Sequence, residues 1–420
     1  MTSPDGAELP VAETRRRWSG FWVVAFAFLV VMAFATLPSP LYGLYRIRDD
    51  LSAFMVTVVY AIFVGGTIVA LMSVPVVAAR AGRRGVMLGA VATMMAAAGL
   101  LAAWKALPGL ILGRLITGVA VGLVAGTAIT YLIELRVRDD PNASVIRARN
   151  IGTAINVGAL GIGPLIAGCL AQWVAGPLTV PYVVFLALGS LALIGLATAP
   201  ETGAPAATPS AASQANASSG SASTARRSTR LLILGAVATM AAFGAIGLFA
   251  GLSGLFLATT IGHPSHALAG ATLFVVFSSG VAAQMATSKL PPSRVQLLGT
   301  VSMLIGLALL VTSVRLSTPS LPLFLLSGAL IGAGAGAVFK GTTGLVLESA
   351  APENRLKVTS DLLIAVFIGL SIPVIGAGVA LSQGASAPDT VLGFAILVGL
   401  GVGGTGALLG RGLRTAQQPG

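Results

Sequence analysis

The chain has 420 residues, of which 55% are hydrophobic and only 9% are charged, and its mean hydropathy is +0.93. A soluble domain carries about 25% charged residues, so this composition excludes a single water-soluble globule and indicates lipid as the main solvent. The formal net charge of +12 does not indicate nucleic-acid binding, because the Lys and Arg residues lie in short segments between apolar runs.

Twelve apolar runs follow along the chain, each long enough to cross a bilayer, for which about 20 apolar residues suffice. Spans 1 to 6 are predicted at residues 18–37, 52–78, 86–104, 110–135, 150–174 and 178–199. Spans 7 to 12 are predicted at residues 231–257, 267–287, 295–314, 321–347, 361–381 and 390–409. Span 1 is longer than the core of a secretory signal and no A-x-A site follows it, so we interpret it as an uncleaved span. It ends at Pro38, and Tyr42 and Tyr45 just beyond are expected at the membrane interface.

A sharp change in composition separates the two groups of six spans. Residues 201–225 are small and polar with almost no charge, so they bury too little apolar area to offset the entropy of ordering. This pattern predicts a flexible linker. We therefore predict an N-terminal six-helix bundle at residues 1–200, a cytosolic linker at 201–230 and a C-terminal six-helix bundle at 231–420.

A faint internal repeat agrees with two related halves. A shift of 214 positions aligns Gly118, Gly122 and Glu134 with Gly332, Gly336 and Glu348. Repeats of this kind are common in secondary transporters. The predicted fold class is therefore an all-α integral membrane protein, with twelve transmembrane helices in two pseudo-symmetric six-helix bundles.

The Lys and Arg residues predict the orientation. Nineteen of the 25 lie on one side of the spans and four on the other, while Arg114 and Lys340 lie within spans. The positive-inside rule places the richer side, with both termini and the linker, in the cytosol. An odd number of spans would scramble this bias. We expect a multi-pass protein of a bacterial-type (inner) cell membrane.

Span 4 carries an arginine followed by a ridge of glycines. Arg114 is followed by Gly118, Gly122 and Gly126, and steps of four place small residues along one helix face, where another helix can approach closely. A charged group inside a span costs at least ~2.5 kcal/mol, so Arg114 must face protein or water. It is either a structural residue bonded to carbonyls of neighbouring helices or a residue that handles substrate or protons.

The other polar residues within spans leave alternatives open. Lys340 either exchanges a proton in a cavity or extends its ammonium to the headgroups. Asn156 and Gln284 either bind a substrate in the cavity or bond across a helix interface. Trp22 and Phe26, one turn apart, either stack on a substrate or face the core or lipid. These six residues, Arg114, Lys340, Asn156, Gln284, Trp22 and Phe26, are the candidates for substrate binding and coupling.

No acidic residue lies in the middle of a predicted span. With two mid-span cations, this absence supports a second hypothesis, in which Arg114 or Lys340 is the counter-charge of an anionic substrate. His263 and His266 lie in the outer loop between spans 7 and 8, where we expect solvated residues, with pH sensing as the alternative.

The turn between spans 2 and 3 carries a basic motif with Arg80, Gly82, Arg83 and Arg84, the first of three motifs that resemble the major facilitator superfamily. Arg80, Gly82, Arg83 and Arg84 fit that family's loop motif, whereas Ala79 stands where the family has an Asp. In the family this Asp is thought to latch the turn against the start of span 11. In this chain Glu134 and Asp361 remain as partners for the loop arginines.

The other two motifs lie in spans 4 and 5. Arg114, Gly118 and Gly122 are similar to the family's span-4 motif. Residues 161–168, with Gly163, Pro164 and Gly168, resemble the family's antiporter motif, which is associated with drug–proton exporters. Pro164 frees a carbonyl and the glycines remove bulk, so the helix can bend and press against the other half. Ordinary small-residue packing is the alternative interpretation.

The resemblance implies a secondary active transporter that exports a small, drug-like or amphipathic molecule by proton-coupled alternating access. The alternative is uptake or facilitated transport of a small anionic metabolite. The chain has no nucleotide-binding motif and no convincing nucleophile–base pair or metal cluster among two His and one Cys. We therefore expect neither an enzyme nor a cofactor or metal site. The expected partners are a small-molecule substrate, protons and the lipid bilayer, with no nucleic acid, and the chain is expected to be a monomer.

Overall fold

The computed structural model describes residues 11–202, 222–351 and 354–414, and these residues form a bundle of long helices. Most of the predicted linker, residues 203–221, lies outside the described residues. The last predicted linker residues, 222–230, are helical and extend span 7 towards the terminal side. We use "terminal side" for the membrane face where the first helix begins and the last helix ends.

The helices match the predicted spans closely. Spans 1 to 6 are formed by Val11–Thr36, Ala53–Ala61 with Phe63–Ala103 (spans 2 and 3), Leu107–Asp139, Val145–Trp173 and Val180–Thr198. Spans 7 to 12 are formed by Ala222–Thr259, His266–Ala286, Pro292–Arg315, Leu321–Ser349, Arg355–Ser382 and Ala387–Arg414.

The number of crossings follows from the shape of spans 2 and 3. The described chain contains 11 helical stretches long and apolar enough to cross a membrane, and one of them, Ala53–Ala103, has 51 residues. At 1.5 Å per residue this stretch is roughly 77 Å long, more than twice the roughly 30 Å of a bilayer core. It turns at Gly82, whose φ of 70° is readily adopted only by glycine. The structure therefore confirms twelve transmembrane helices.

The segment after span 1 differs from the prediction. It forms a short 3₁₀ helix, Ser39–Leu41, and a helix, Tyr42–Asp49. Tyr42 and Tyr45 are buried, so their predicted place at the membrane interface is wrong. The hydroxyl of Tyr45 lies 3.1 Å from that of Tyr182, and the Tyr42 ring stacks edge-on against Tyr60. The second helix folds these rings against spans 2 and 6, because burying them removes a large apolar area from water.

The two halves repeat the same packing. Gly118 of span 4 packs against the carbonyl of Phe63 in span 2, and its repeat partner Gly332 packs against the carbonyl of Val276 in span 8. The next glycine of each ridge repeats the contact one turn further along. Phe63 and Val276 are 213 positions apart, whereas Gly118 and Gly332 are 214 positions apart. The repeat seen in the sequence therefore extends to the packing partners and confirms the two pseudo-symmetric bundles.

The bundles meet in the membrane half away from the terminal side. Span 5 packs against span 8, and span 2 packs against span 11. The Ser371 hydroxyl donates to the carbonyl of Ala61 at 3.3 Å, and the side-chain oxygen of Gln172 accepts hydrogen bonds from Ser265 and His266. These contacts close the space between the bundles on the side opposite the termini.

Candidate functional site

Arg114 lies inside the N-terminal bundle and is 1% exposed. Its guanidinium donates to the carbonyl of Ala35 at 2.6 Å and to that of Tyr60 at 3.3 Å, and its Cζ lies 4.6 Å from the centre of the Phe63 ring. Both carbonyls belong to the last turn of a helix, where they lack helical partners and attract a cation. Arg114 therefore links the end of the helix of span 1 to the end of the first of the two helices that form span 2.

This geometry matches the structural interpretation of Arg114 offered by the sequence. One nitrogen remains: Nε is buried and has no hydrogen-bond partner among the described residues, and the same holds for the hydroxyl of Tyr42. Sequence reasoning could not identify the two carbonyls, because every helix end offers similar ones.

The glycines of span 4 allow a very close contact with span 2. A methyl group on Gly118 would overlap the Phe63 carbonyl, and one on Gly122 would overlap the carbonyl of Thr67. Spans 2 and 4 are therefore packed backbone to backbone. The Phe63 ring that this contact positions also covers the Arg114 guanidinium.

The span-5 motif contacts both span 1 and the other bundle. Gly163 packs against the carbonyl of Ala33 in span 1, and Gly168 packs against that of His266 in span 8. Gly270 of span 8 in turn packs against the Pro164 carbonyl. The three motif residues predicted to let the two halves press together thus lie in or beside the contact between spans 5 and 8.

The sequence predicted that His266 would lie in a solvated loop, but it takes part in this contact. It begins span 8, and its Nδ1 lies 3.3 Å from the carbonyl oxygen of Pro40 in the opposite bundle. Its backbone amide donates to Gln172 at 3.0 Å. The hydrogen bonds cross the bundle interface and could not be read from a loop position in the sequence.

The turn between spans 2 and 3 receives its carboxylate from an unexpected residue. The Glu201 side chain, just after span 6, accepts hydrogen bonds from the backbone amides of Arg83 at 2.8 Å and Arg84 at 3.3 Å. The absent side chain of Gly82 leaves room for this carboxylate. Glu201 was assigned to the linker by composition alone. The only available signal was its place directly after the last helical turn of span 6.

The same turn is tied to span 4. Arg83 forms an ion pair with Glu134 at 3.4 Å, as the sequence led us to expect, and the Thr202 hydroxyl donates to the other Glu134 oxygen at 2.8 Å. The Tyr131 hydroxyl donates to the carbonyl of Pro200 at 2.7 Å. We call Arg83, Arg84, Glu134, Glu201 and Thr202 the turn network.

The remaining members of the loop motif are less connected. The Arg84 guanidinium donates to the carbonyl of Ala197 at the end of span 6. Arg80 is exposed, and within residues 11–202, 222–351 and 354–414 neither Arg80 nor Asp361 forms an ion pair. The turn network thus joins the N-terminal bundle to the two residues that follow it, and does not include the start of span 11.

Lys340 contacts its own bundle. Its ammonium donates to the carbonyl of Gln284 and lies 3.4 Å from the hydroxyl of Thr287, at the end of span 8. A cation is stabilised at this helix end, where the last carbonyls lack helical partners. By the repeat, Lys340 corresponds to Gly126, which packs against Val74 of span 2.

The amide side chains of Asn156 in span 5 and Gln284 in span 8 are half-buried, and each has one buried atom that is not hydrogen-bonded within the described chain. Asn156 Oδ1 and Gln284 Nε2 have no hydrogen-bond partner among the described residues. The structure does not place either of them in the crevice described next. A buried amide without a partner costs about 1–3 kcal/mol, so each is a candidate contact for a polar ligand or water.

Trp22 and Phe26 line a crevice between spans 1, 5 and 8. Its volume is about 930 Å³, and it extends from Ser144 at the terminal end of span 5 to Ile162 near its middle. Trp22 is 53% exposed and Phe26 37% exposed, so neither is a core residue. Of the six predicted substrate candidates, only these two line the crevice.

Two related bundles of six transmembrane helices define the class of secondary membrane transporters. The chain belongs to the Major Facilitator Superfamily, whose model matches residues 24–360. This match confirms the resemblance carried by the motifs. The transporter class also agrees with the expectation that the chain is not an enzyme.

Several solved transporters share this fold. The inward-open xylose transporter XylE from E. coli is 16% identical with a TM-score of 0.71, covering 93% of this chain and 95% of XylE. An inward-facing bacterial homologue of the human lysosomal transporter Spinster is 16% identical with a TM-score of 0.71, covering 98% and 100%. A mutant of the nucleoside transporter NupG is 12% identical with a TM-score of 0.70, covering 96% and 100%. At these identities the likeness concerns the fold alone. No curated protein sequence matches this chain.

Proposed function

We propose that this transporter exports a small amphipathic molecule in exchange for protons, by alternating access between its two bundles. The proposal places the terminal side in the cytosol, on the basis of the Lys and Arg distribution. It includes a monomer in a bacterial-type inner membrane, with the N-terminal bundle at residues 1–200 and the C-terminal bundle at 231–420.

The observation that carries the proposal is the contact between spans 5 and 8. Gly168 and Gly270 each pack against a backbone carbonyl of the opposite bundle, with no side chain between them. Such a contact can part and re-form as a unit, which is what rocking of one bundle against the other requires. The motif that makes it resembles the one associated with drug–proton exporters.

The crevice supports loading from the terminal side. It lies between spans 1, 5 and 8 on the terminal side of the contact, and its lining is mostly apolar. A substrate that enters there would leave on the opposite side only when spans 5 and 8 separate. Export follows if the terminal side is cytosolic.

Uptake of an anionic metabolite has less support. Both mid-span cations already have protein partners, Arg114 with two carbonyls and Lys340 with the end of span 8. Neither is therefore held ready as a free counter-charge. If transport of an anion is unchanged in Lys340→Ala, the counter-charge role of Lys340 is excluded.

Proteoliposomes test the proposed function directly. A panel of toxic amphipathic compounds is first compared in cells with and without the protein, and the best compound is then loaded into liposomes with an acidic exterior. We expect export to accelerate with the gradient and to collapse in Gly168→Ile, whose side chain would meet the His266 carbonyl. Gly404→Ala is the control, because no atom lies near an added methyl group there. Movement that ignores the gradient would exclude proton exchange.

A further inference from the structure

The crevice between spans 1, 5 and 8 differs strongly from one end to the other, and this difference specifies a ligand. We propose that it binds a drug-sized amphipathic anion, with the acidic group at Arg147 and the apolar body along Trp22, Phe26 and Phe274. The inference rests on the transport function proposed above and adds the class of substrate.

The crevice begins where the contact between spans 5 and 8 loosens. Gly168 lies directly against span 8, and a methyl group on Gly161 would still be 3.0 Å from the Phe274 backbone. At Gly158 the nearest atom, on Val281, would be 3.6 Å away, an ordinary van der Waals distance. From Gly158 to Ser144 the crevice follows span 5 for roughly 21 Å at 1.5 Å per residue.

The walls of the crevice present uncovered aromatic surface. Trp22 is 53% exposed, and Phe26 and Phe274 are each 37% exposed. Aromatic faces of this kind bury large areas against flat or branched apolar groups. The volume of about 930 Å³ falls within the roughly 300–1,000 Å³ of sites for drug-sized ligands. The space suits one compact organic molecule.

The terminal end of the crevice presents one positively charged side chain and two neutral polar ones. Arg147, Asn150 and Ser144 line it, and no acidic residue lies among the lining residues. Within the described chain, the Arg147 guanidinium has no hydrogen bond or ion pair. A guanidinium binds carboxylate or sulfonate groups through two parallel hydrogen bonds. This end therefore favours an anion over a cation.

The order of the two ends matches an amphipath that arrives from the adjoining leaflet. Arg147 lies in the first turn of span 5, while Phe274 lies against Gly161, more than three helical turns further along that span. An anion in the leaflet keeps its charge near the headgroups and its apolar body below them, so it enters the crevice without turning over. A molecule with a charge at its centre would have to bring that charge against the apolar walls.

Two fluorescent probes that differ by one acidic group test the proposal. The purified full chain in phosphatidylcholine nanodiscs is titrated with anionic 1-anilinonaphthalene-8-sulfonate and with neutral N-phenyl-1-naphthylamine, and fluorescence above that of empty nanodiscs is measured. We expect Arg147→Gln to weaken binding of the sulfonate about tenfold and to leave the neutral probe unchanged. Arg149→Gln is the matched control, because Arg149 is exposed but does not line the crevice. Trp22→Ala should weaken both probes about fivefold.

The proposal would be overturned if the wild type and Arg147→Gln bound the sulfonate equally well. It would also be overturned if Arg149→Gln weakened sulfonate binding as much as Arg147→Gln does, or if added phosphatidylglycerol displaced the sulfonate. The last would assign the crevice to a phospholipid. Unfolding midpoints of all variants separate lost binding from lost folding. Binding in nanodiscs needs no gradient, so an intact sulfonate site without any transport would contradict only the proposed export function.

Discussion

The hydroxyl of Thr36, at the end of span 1, donates to the carbonyl oxygen of Leu160 in span 5 at 2.6 Å. Leu160 lies four residues before Pro164, which has no amide hydrogen to give to that carbonyl. Thr36 therefore replaces the missing helical bond. The irregular turn of span 5 is thus stabilised by span 1, within the same bundle.

A double-mutant cycle tests whether the Thr36 hydroxyl takes the place of the amide hydrogen that Pro164 lacks. Thr36→Val should lower the free energy of unfolding by about 1 kcal/mol, because the Leu160 carbonyl loses its donor. In a Pro164→Ala background residue 164 supplies an amide to the same carbonyl, so we expect Thr36→Val to cost close to nothing. Denaturant unfolding in detergent measures both values. Equal costs in the two backgrounds would show that Thr36 does not serve the proline turn.

Arg114 is expected to contribute mainly to stability. Arg114→Ala should lower the free energy of unfolding by about 2–4 kcal/mol, because two buried carbonyls lose a donor and a void opens beside Phe63. Arg114→Lys should lie in between, since one ammonium cannot reproduce the forked geometry. Arg294→Ala, at an exposed position, is the control. If Arg114→Ala keeps full stability and loses only transport, Arg114 belongs to the substrate path.

The repeated glycine contacts predict matching effects in the two bundles. Gly118→Ala and its repeat counterpart Gly332→Ala each place a methyl group against a backbone carbonyl of the neighbouring helix. Each should lower the unfolding free energy by about 1–3 kcal/mol, the usual cost of overpacking. Gly404→Ala should have no such cost. Unfolding midpoints of the three variants make the comparison, and a large difference between the first two would contradict equivalent packing.

Glu201 is expected to order the turn between spans 2 and 3. In Glu201→Gln the neutral amide is a weaker acceptor than the carboxylate, so the backbone amides of Arg83 and Arg84 should exchange with deuterium about tenfold faster. Glu348→Gln, at an exposed position of the other bundle, is the control. Exchange that is unchanged in Glu201→Gln would show that the turn holds its shape without the carboxylate.

The spans were predictable because hydropathy acts locally: twenty apolar residues cross a bilayer whatever surrounds them. The close approach of span 4 was also predictable, since Gly118 and Gly122 leave one helix face bare. Tyr42 and Tyr45 were misplaced because their burial depends on a helix that folds back after Pro38. Aromatic residues near a span end satisfy the interface and the interior equally well.

The site was less predictable, because its contacts join residues far apart in the chain. Arg114 was recognised as an intramembrane charge, but its partners, Ala35 and Tyr60, are identified only by where two helices end. Glu201 carries the carboxylate that the loop motif seemed to lack, and nothing local distinguishes it from a linker residue. Lys340 was recognised as a cation within a span, but its bond to the end of span 8 could be identified only from the packing of spans 8 and 10.

The turn network has a practical consequence for anyone who expresses the two halves as separate polypeptides. A first half that stops at Ala199, where the helix ends, would lack Glu201 and Thr202 and leave the amides of Arg83 and Arg84 without their acceptor. A first half that continues through Thr202 keeps all of these bonds. The gene should therefore be cut three codons later than the helix boundary suggests.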